Sequence, residues 1–383
     1  MEILIAPDSF KESLTAIEVA NAIETGWKSV LPETECFKIP MADGGEGTVQ
    51  SLVDATNGQI VHTEVTGPLG EPVKAFYGIL GNQNTAVIEM SAASGLHHVP
   101  MAQRNPLITT TKGTGELILH ALNQKVDKIM IGLGGSATND AGAGMAKALG
   151  YQFLDRRGNE IKEGGLGLID CHHIDGSKVD ERLENIKFEV ACDVENPLIG
   201  INGASFVYGP QKGATTEMIE KLECSLVHFA SIIEKDLGVQ VANVKGAGAA
   251  GGMGAGAIAF LNANLKKGFQ LVSEAVSLEK YLEEVELVIT GEGKIDGQSI
   301  YGKTPVGVAR LAKKYQLPVL VIAGSIGKDY ELVYKHGIDA VFPILPSICS
   351  VEEALQNGRK NIERTASEIA KVWQMANDKM GKM

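Results

Sequence analysis

Both ends of the chain are built from short apolar strands, each running into a polar loop and then a helix. Ile3-Leu4-Ile5-Ala6 leads into the loop Pro7 to Ser13, and Thr15-x-x-Glu18 has the form of a capping box opening a helix that ends before Pro32. Cys36 to Pro40 gives a second strand, Met41 to Gly47 a loop, and a helix runs through Val53. Near the other end, Leu287 to Thr290 is a buried-type strand and Gly291 to Lys303 a long loop. Pro305 to Tyr315 is a helix with proline in its first turn, and Val319 to Ala323 a further apolar strand. Such alternation predicts a mostly parallel sheet covered on both faces.

The middle of the chain is mixed. Val61 to Leu80 and Thr85 to Met90 read as strands with no room for a helix between them, which favours antiparallel pairing. Helices are expected near Thr114 to Leu122, Met218 to Glu234 and Met253 to Leu261, with a strand at Lys128 to Ile131. The tail from Val351 to Ala376 is amphipathic, with Leu355, Ile362, Ile369 and Val372 on one side, and packing is its expected role. At 383 residues, two domains are the default.

A net charge of −12 argues against nucleic acid, whose binding rests on neutralising phosphates, but not against a small anionic substrate. The five cysteines are odd in number and widely spaced, the usage of a reducing compartment. No basic, apolar leader opens the chain and no apolar run reaches membrane-spanning length, so a cytoplasmic location with no membrane partner is expected.

Glycine is clustered with acids and hydroxyls in five loops. Asp8-Ser9-Phe10-Lys11-Glu12-Ser13 follows the first strand, where ligands of parallel sheets bind; turn and cap chemistry explains Asp8 and Ser9 but not the cation Lys11. In Asp43-Gly44-Gly45-Glu46-Gly47-Thr48, glycines allow close backbone approach, and two carboxylates suit Mg²⁺ or substrate hydroxyls better than a bare phosphate. Gly132 to Gly144, containing Gly134, Gly135, Ser136, Thr138 and Asn139, lies between a strand and a helix and is the best phosphate cradle, with Asn139 or Asp140 available as N-cap. It resembles, over a short stretch, the Gly-Ser-rich loop of the galactokinase and homoserine kinase superfamily.

Two loops match named nucleotide motifs in letters only. Gly246-x-Gly248-x-x-Gly251 fits the dinucleotide fingerprint, but the preceding strand is doubtful and no acid lies at the expected spacing before Glu274. Gly297 to Thr304 fits Walker A, yet its first glycine stands six residues beyond the expected strand end and no Walker B strand follows. Lys303 could still contact a phosphate or carboxylate. Gly291-Glu292-Gly293 and Asp296 precede it. Asp193 ends the strand Phe188 to Cys192 and reads either as a base or as an Asx-turn before Pro197. His97-His98 and Cys171-His172-His173 lack metal-site spacing.

Together these segments closely resemble the bacterial type I glycerate kinase family. The stretches that carry the resemblance are Ile5 to Lys11, Met41 to Thr48, Gly132 to Gly144, Ala191 to Leu198, Gly209 to Ala214, and Thr290 to Gly293 with Asp296 to Gln298. Ala141 departs from the pattern, glycine being expected there. The resemblance implies an α/β fold: a discontinuous Rossmann- or flavodoxin-like parallel-sheet domain (residues 1–65 plus 285–383) with an inserted mixed α/β domain (66–284) and an active site in the cleft. It implies phosphorylation of glycerate by ATP with Mg²⁺, 2-phosphoglycerate being the favoured product, in a monomer or homodimer. Lys11, Asp193 and Asp296 are then the expected catalytic residues, with Asp193 as base. Asp8, Ser9, Asp43, Gly44, Gly45, Glu46 and Lys303 would hold substrate. Gly134, Gly135, Ser136, Thr138, Asn139, Gly291, Glu292 and Gly293 would hold ATP, and Asp43 and Glu292 the metal. The alternatives are an NAD-linked hydroxy-acid oxidoreductase, a P-loop NTPase and a non-catalytic sugar-acid-binding regulator.

Overall fold

The structure is a computed structural model and describes residues 1–380. Its first strands are β1 (Glu2–Ile5), β2 (Glu35–Lys38), β3 (Gln59–Thr66), β4 (Pro72–Ile79), β5 (Thr85–Glu89) and β6 (Lys128–Gly132). Then follow β7 (Gln152–Leu154), β8 (His173–Asp175), β9 (Lys187–Ala191) and β10 (Asn264–Lys266). The last are β11 (Leu287–Ile295), β12 (Val319–Ile326) and β13 (Ala340–Pro343).

The chain divides into two units. The first comprises Met1–Asp43, Gln50–Thr56 and the chain from Val272 on; the second comprises Gly44–Val49 and Asn57–Leu271. A five-stranded sheet in the order β13-β12-β11-β1-β2 forms the first unit, and every pairing in it is parallel. Numbered within the sheet, that order is 2-1-3-4-5, and its topological switch point falls between β1 and β11. The helix Ala16–Lys28 opens with the expected capping box: Thr15 N–H donates to Glu18 Oε2 at 2.9 Å and Glu18 N–H to Thr15 Oγ1 at 3.4 Å. Ile3, Ile5, Ile23, Leu287 and Ile289 form the core with Ile362, Ala366 and Ile369 of the C-terminal helix. At Gly26 a Cβ would come within 2.1 Å of Glu363 O, so only glycine lets the two helices close. Val372, expected on the packed side of the tail, is exposed; Ala366 and Ala370 complete the buried stripe instead.

The second unit holds a mixed six-stranded sheet, β10-β9-β6-β5-β4-β3. β5, β6, β9 and β10 run parallel, while β4 pairs antiparallel with both β5 and β3. β7 and β8 form a small antiparallel pair.

The unit borders differ from those expected at residues 65 and 285. β3 pairs along its length with β4, so residues 59–66 belong to the six-stranded sheet. The helix Leu278–Leu282 lies with the first unit, where Tyr281 stacks on Phe37 at 5.6 Å. β11 also runs beyond its expected end at Thr290, because Gly291 to Ile295 stay in register with Ile322 to Ile326 of β12. Among the described residues no helix is long and apolar enough to cross a membrane. All five cysteines are free thiols.

Candidate active site

In the first unit, the polar groups gather at the carboxyl ends of β1 and β11, on either side of the switch point. Asp8 is fixed there by its N–H, which donates to Gly291 O at 2.8 Å. Its carboxylate accepts Ser9 N–H at 2.7 Å, Thr304 Oγ1 at 2.6 Å and Ser9 Oγ at 3.3 Å. Burial, joined by repulsion from Asp43, pushes the Asp8 carboxyl up to about 6 despite those donors. Glu292 accepts Ser299 Oγ at 2.8 Å and pairs with Lys303 Nζ at 3.2 Å. Burial outweighs the lysine and lifts its carboxyl to about 7. Asp296 behaves oppositely. Burial opposes ionisation, but Lys294 at 3.2 Å and Gln298 N–H at 3.0 Å hold it below the usual range. Lys11 is exposed in the turn closed by Leu14 N–H donating to Phe10 O at 2.9 Å.

Several expected roles in this unit take a different form. Each Glu292 oxygen already has a protein partner, Ser299 on Oε1 and Lys303 on Oε2, so a metal there would share the carboxylate with a cation. Gly291 and Gly293 are strand residues. A Cβ on Gly291 would lie 2.3 Å from Ile322 O, so close strand approach accounts for that glycine, whereas one on Gly293 would lie 3.6 Å from Phe10 Cα, an ordinary contact. Thr304, the Walker A hydroxyl, donates to Asp8, and the preceding segment is a 3₁₀ turn, Ser299–Tyr301, so the letters do not make a phosphate loop.

The raised Glu292 carboxyl carries a pH prediction. A carboxyl whose folded value lies above its unfolded 4.5 contributes stability below that pH and loses it as pH rises toward about 7. Glu292→Gln should therefore gain Tm relative to the parent between pH 4.5 and 8, measured with a chelator present. A Tm difference that stays flat across that range would contradict the buried, raised carboxyl.

In the second unit, three adjacent parallel strands end level, with Glu89, Gly132 and Ala191 in register. Each end carries a polar element. Glu89, nearly fully buried, accepts Val49 N–H at 2.9 Å and caps the start of the helix Thr48–Thr56. That bond fixes the glycine loop Gly44 to Gly47, where Gly44 has φ +88° and a Cβ would meet Ala191 Cβ at 2.7 Å. Glu46 is exposed. Beyond β9, Asp193 is exposed and Oδ1 accepts Gly268 N–H at 3.0 Å, at the start of the helix Gly268–Ala275.

Beyond β6 lies the Gly132 to Gly144 loop. Leu96 N–H donates to Gly135 O at 2.8 Å, Ala137 N–H to Ser94 O at 2.9 Å and Thr109 Oγ1 to Ala137 O at 2.8 Å. Among the described residues, the N–H groups of Gly134, Gly135 and Ser136 have no protein acceptor. Successive N–H groups of this kind form an anion nest. Thr138 and Asn139 are fully buried, and Thr138 Oγ1 and Asn139 Oδ1 have no partner. Asn139 does not cap the following helix; its Nδ2 donates to Ser205 Oγ at 3.2 Å. Nor is Asp140 the N-cap, a position that Gly142 takes in the left-handed region; from two residues earlier Asp140 accepts from Gly142 N–H at 3.3 Å and Gly144 N–H at 3.2 Å, and also from Thr111 N–H and Oγ1, each at 2.8 Å. Lys212, to which the sequence reading gave no role, is buried with its amine on Ser136 Oγ at 2.8 Å and Thr138 O at 2.6 Å.

The dinucleotide-like glycines serve close backbone packing, one of them against this same loop. A Cβ on Gly251 (φ +73°) would strike Thr138 O at 1.9 Å, and one on Gly248 would meet Pro197 O at 2.1 Å. His98 Nε2 bonds Ala92 O at 2.9 Å and His173 Nδ1 bonds Asp236 Oδ2 at 3.0 Å. Among the described residues no group of three His, Cys, Asp or Glu could hold a metal.

Polar groups at the carboxyl ends of parallel strands, one set acidic and one set an anion nest, define an α/β enzyme that handles anionic groups. Residues 3–374 match the glycerate kinase family. The chain is 57% identical over 370 residues to the glycerate kinase of Bacillus subtilis strain 168, covering 97% of each chain. It is 54% identical over 370 residues to the glycerate 2-kinase of Escherichia coli K12, again covering 97% of each. A crystal structure from Salmonella typhimurium LT2 assigned to glycerate kinase 2 superposes with a TM-score of 0.93 at 53% identity, covering 99% of both chains. The chain belongs to the glycerate kinase family and is a phosphotransferase.

Proposed function

We propose that the chain transfers the γ-phosphoryl group of ATP to the 2-hydroxyl of glycerate. The observation that carries this reading is the Gly134–Ser136 nest, whose N–H groups have no acceptor in the protein and suit phosphate oxygens. The 2-position rests on the name of the E. coli relative. The first unit's strand order, 2-1-3-4-5, favours the flavodoxin-like over the Rossmann alternative, and five free cysteines agree with a cytoplasmic location.

In this reading the nest orients the phosphates, with Thr138 and Asn139 shaping it from inside. Asp193 accepts the hydroxyl proton as that oxygen bonds to the γ-phosphorus and the bond to the ADP oxygen breaks. Gly44, Gly45 and Glu46 offer backbone and carboxylate contacts to glycerate, and Lys11 in the first unit is an exposed cation suited to a carboxylate or a phosphate. Ser9 orients Asp8, Asp296 holds Lys294, and Lys303 is steadied by Glu292. Asp8 and Asp43 fit Mg²⁺. They lie close enough for Asp43 to raise the Asp8 carboxyl, and two carboxylates plus phosphate oxygens match that ion's habit of taking few protein ligands. When bound, Mg²⁺ offsets phosphate charge.

The test is turnover of D-glycerate with Mg-ATP, the product being offered directly to enolase. Consumption by enolase is the expected result and indicates 2-phosphoglycerate. Failure to turn over glycerate and related hydroxy acids would remove the reading.

A further inference from the structure

Lys212 presents a physical puzzle. It is 1% exposed, and among the described residues no carboxylate lies within ion-pair distance of it. A buried ammonium without a counter-ion is costly even when hydrogen-bonded, so its placement calls for a reason. Among the described residues its amine's partners are two points of one loop: Ser136 Oγ at 2.8 Å and Thr138 O at 2.6 Å. The charged groups around it are Asp140, buried in that loop, and Arg104, whose backbone packs on Gly213 and whose Nη1 reaches Gln211 O at 3.5 Å.

Both contacts are directional. A serine hydroxyl has one proton, and because Lys212 donates to the oxygen, that proton must be donated elsewhere. In a trans peptide the carbonyl and the following N–H point opposite ways, so drawing Thr138 O to the lysine turns Asn139 N–H away from it. The Ser136 hydroxyl proton and the Asn139 N–H are thereby directed away from the lysine.

We propose that Lys212 is the positioning residue of the phosphate loop, fixing Ser136 and the 138–139 peptide so that the nest and the Ser136 hydroxyl face the ATP phosphates. This rests on the reading of Gly134 to Ser136 as the ATP site. Lys212 touches no reacting atom; it acts through the loop and adds its charge behind it. Burial pushes the ammonium down to about 7, with only Asp140 opposing, so the lysine changes charge near neutral pH.

The test compares the parent enzyme with Lys212→Met and Ser136→Ala, following KM for each substrate and kcat/KM for ATP against pH. Each variant should raise KM for Mg-ATP tenfold or more and leave KM for glycerate within twofold. In the parent, kcat/KM for ATP should fall as pH rises through about 7, where the lysine loses its proton, and this alkaline limb should vanish in Lys212→Met. A folded Lys212→Met with parental KM for ATP and an unchanged limb overturns the proposal. Should Lys212→Met fail to fold, an unchanged KM for ATP in Ser136→Ala overturns it equally. Calorimetry with Mg-ATP alone separates the two readings. If the parent binds Mg-ATP but does not phosphorylate glycerate, the proposed reaction fails, and weaker Mg-ATP binding by the variants still supports the role of Lys212. A parent that binds no Mg-ATP removes both.

Discussion

Asp193→Asn is expected to lower kcat on glycerate by a factor of ~10²–10⁴, the usual worth of a positioned general base, with Tm little changed. The fold should tolerate the change because an asparagine carbonyl at Oδ1 can still accept the N–H of Gly268. What the amide cannot do is take a proton from the attacking hydroxyl. The placement favours this carboxylate: it lies exposed just past the end of β9, whose neighbours β6 and β5 end level with it in the phosphate loop and Glu89. Asp296 is the contrasting case. Lys294 and Gln298 N–H hold its carboxylate below the usual range, which makes it a weaker proton acceptor, so Asp296→Asn should cost less in kcat. Near-normal kcat in Asp193→Asn beside an inactive Asp296→Asn would reverse the assignment.

The parts of the fold that were legible in the sequence are those whose signal is local. Thr15 and Glu18 announce the first helix because a capping box needs only four residues. β1, β6 and β12 are apolar runs between loops, and their burial on both faces is what the runs record. The unit borders were not legible. Whether residues 59–66 join β2 or β4 depends on a partner strand, and whether Leu278–Leu282 packs on Phe37 depends on a contact some 240 residues away. Strand β11 outruns its expected end at Thr290 because glycine reads as a breaker in sequence, whereas Gly291 is there to let β12 approach.

Among the candidate loops, sequence position identified the right backbone and said little about which side chains turn inward. Ser136, Thr138 and Asn139 look alike in a list of hydroxyls and amides, yet the last two are fully buried. Lys212 carries no local signal of its part, since nothing adjacent in the chain shows that its amine ends under a loop more than 70 residues earlier. Glu89 closes an apolar strand, where a carboxylate can be a cap, a ligand or a surface group; only the bond to Val49 decides. Ala141, the departure from the family pattern, has φ +49°, a conformation in which glycine is unstrained. The expected glycine therefore has a backbone reason.

Asp140→Ala should be the most destabilising of these substitutions. Asp140 is 1% exposed and accepts four donors: Thr111 N–H, Thr111 Oγ1, Gly144 N–H and Gly142 N–H. Burial pushes its carboxyl upward, while the four donors pull the other way. Alanine leaves all four in a dry interior, at about 1–3 kcal/mol for each donor left without an acceptor. The losses share one site and will not add fully, so about 4 kcal/mol is expected, or a Tm lowered by on the order of 10 °C. A second cost falls on Lys212, whose charge Asp140 favours. Removing both should therefore cost less than the sum of the single changes, and Asp140→Ala with Lys212→Met should recover part of the lost Tm. Asp140→Asn should fall between the parent and alanine, since one carbonyl remains but the amide opposes donors on the other side. Thermal unfolding of the four proteins at one pH decides the matter: an Asp140→Ala protein melting within about 3 °C of the parent, below the shift that ~1 kcal/mol gives in a unit of this size, would mean that this carboxylate does not hold the loop.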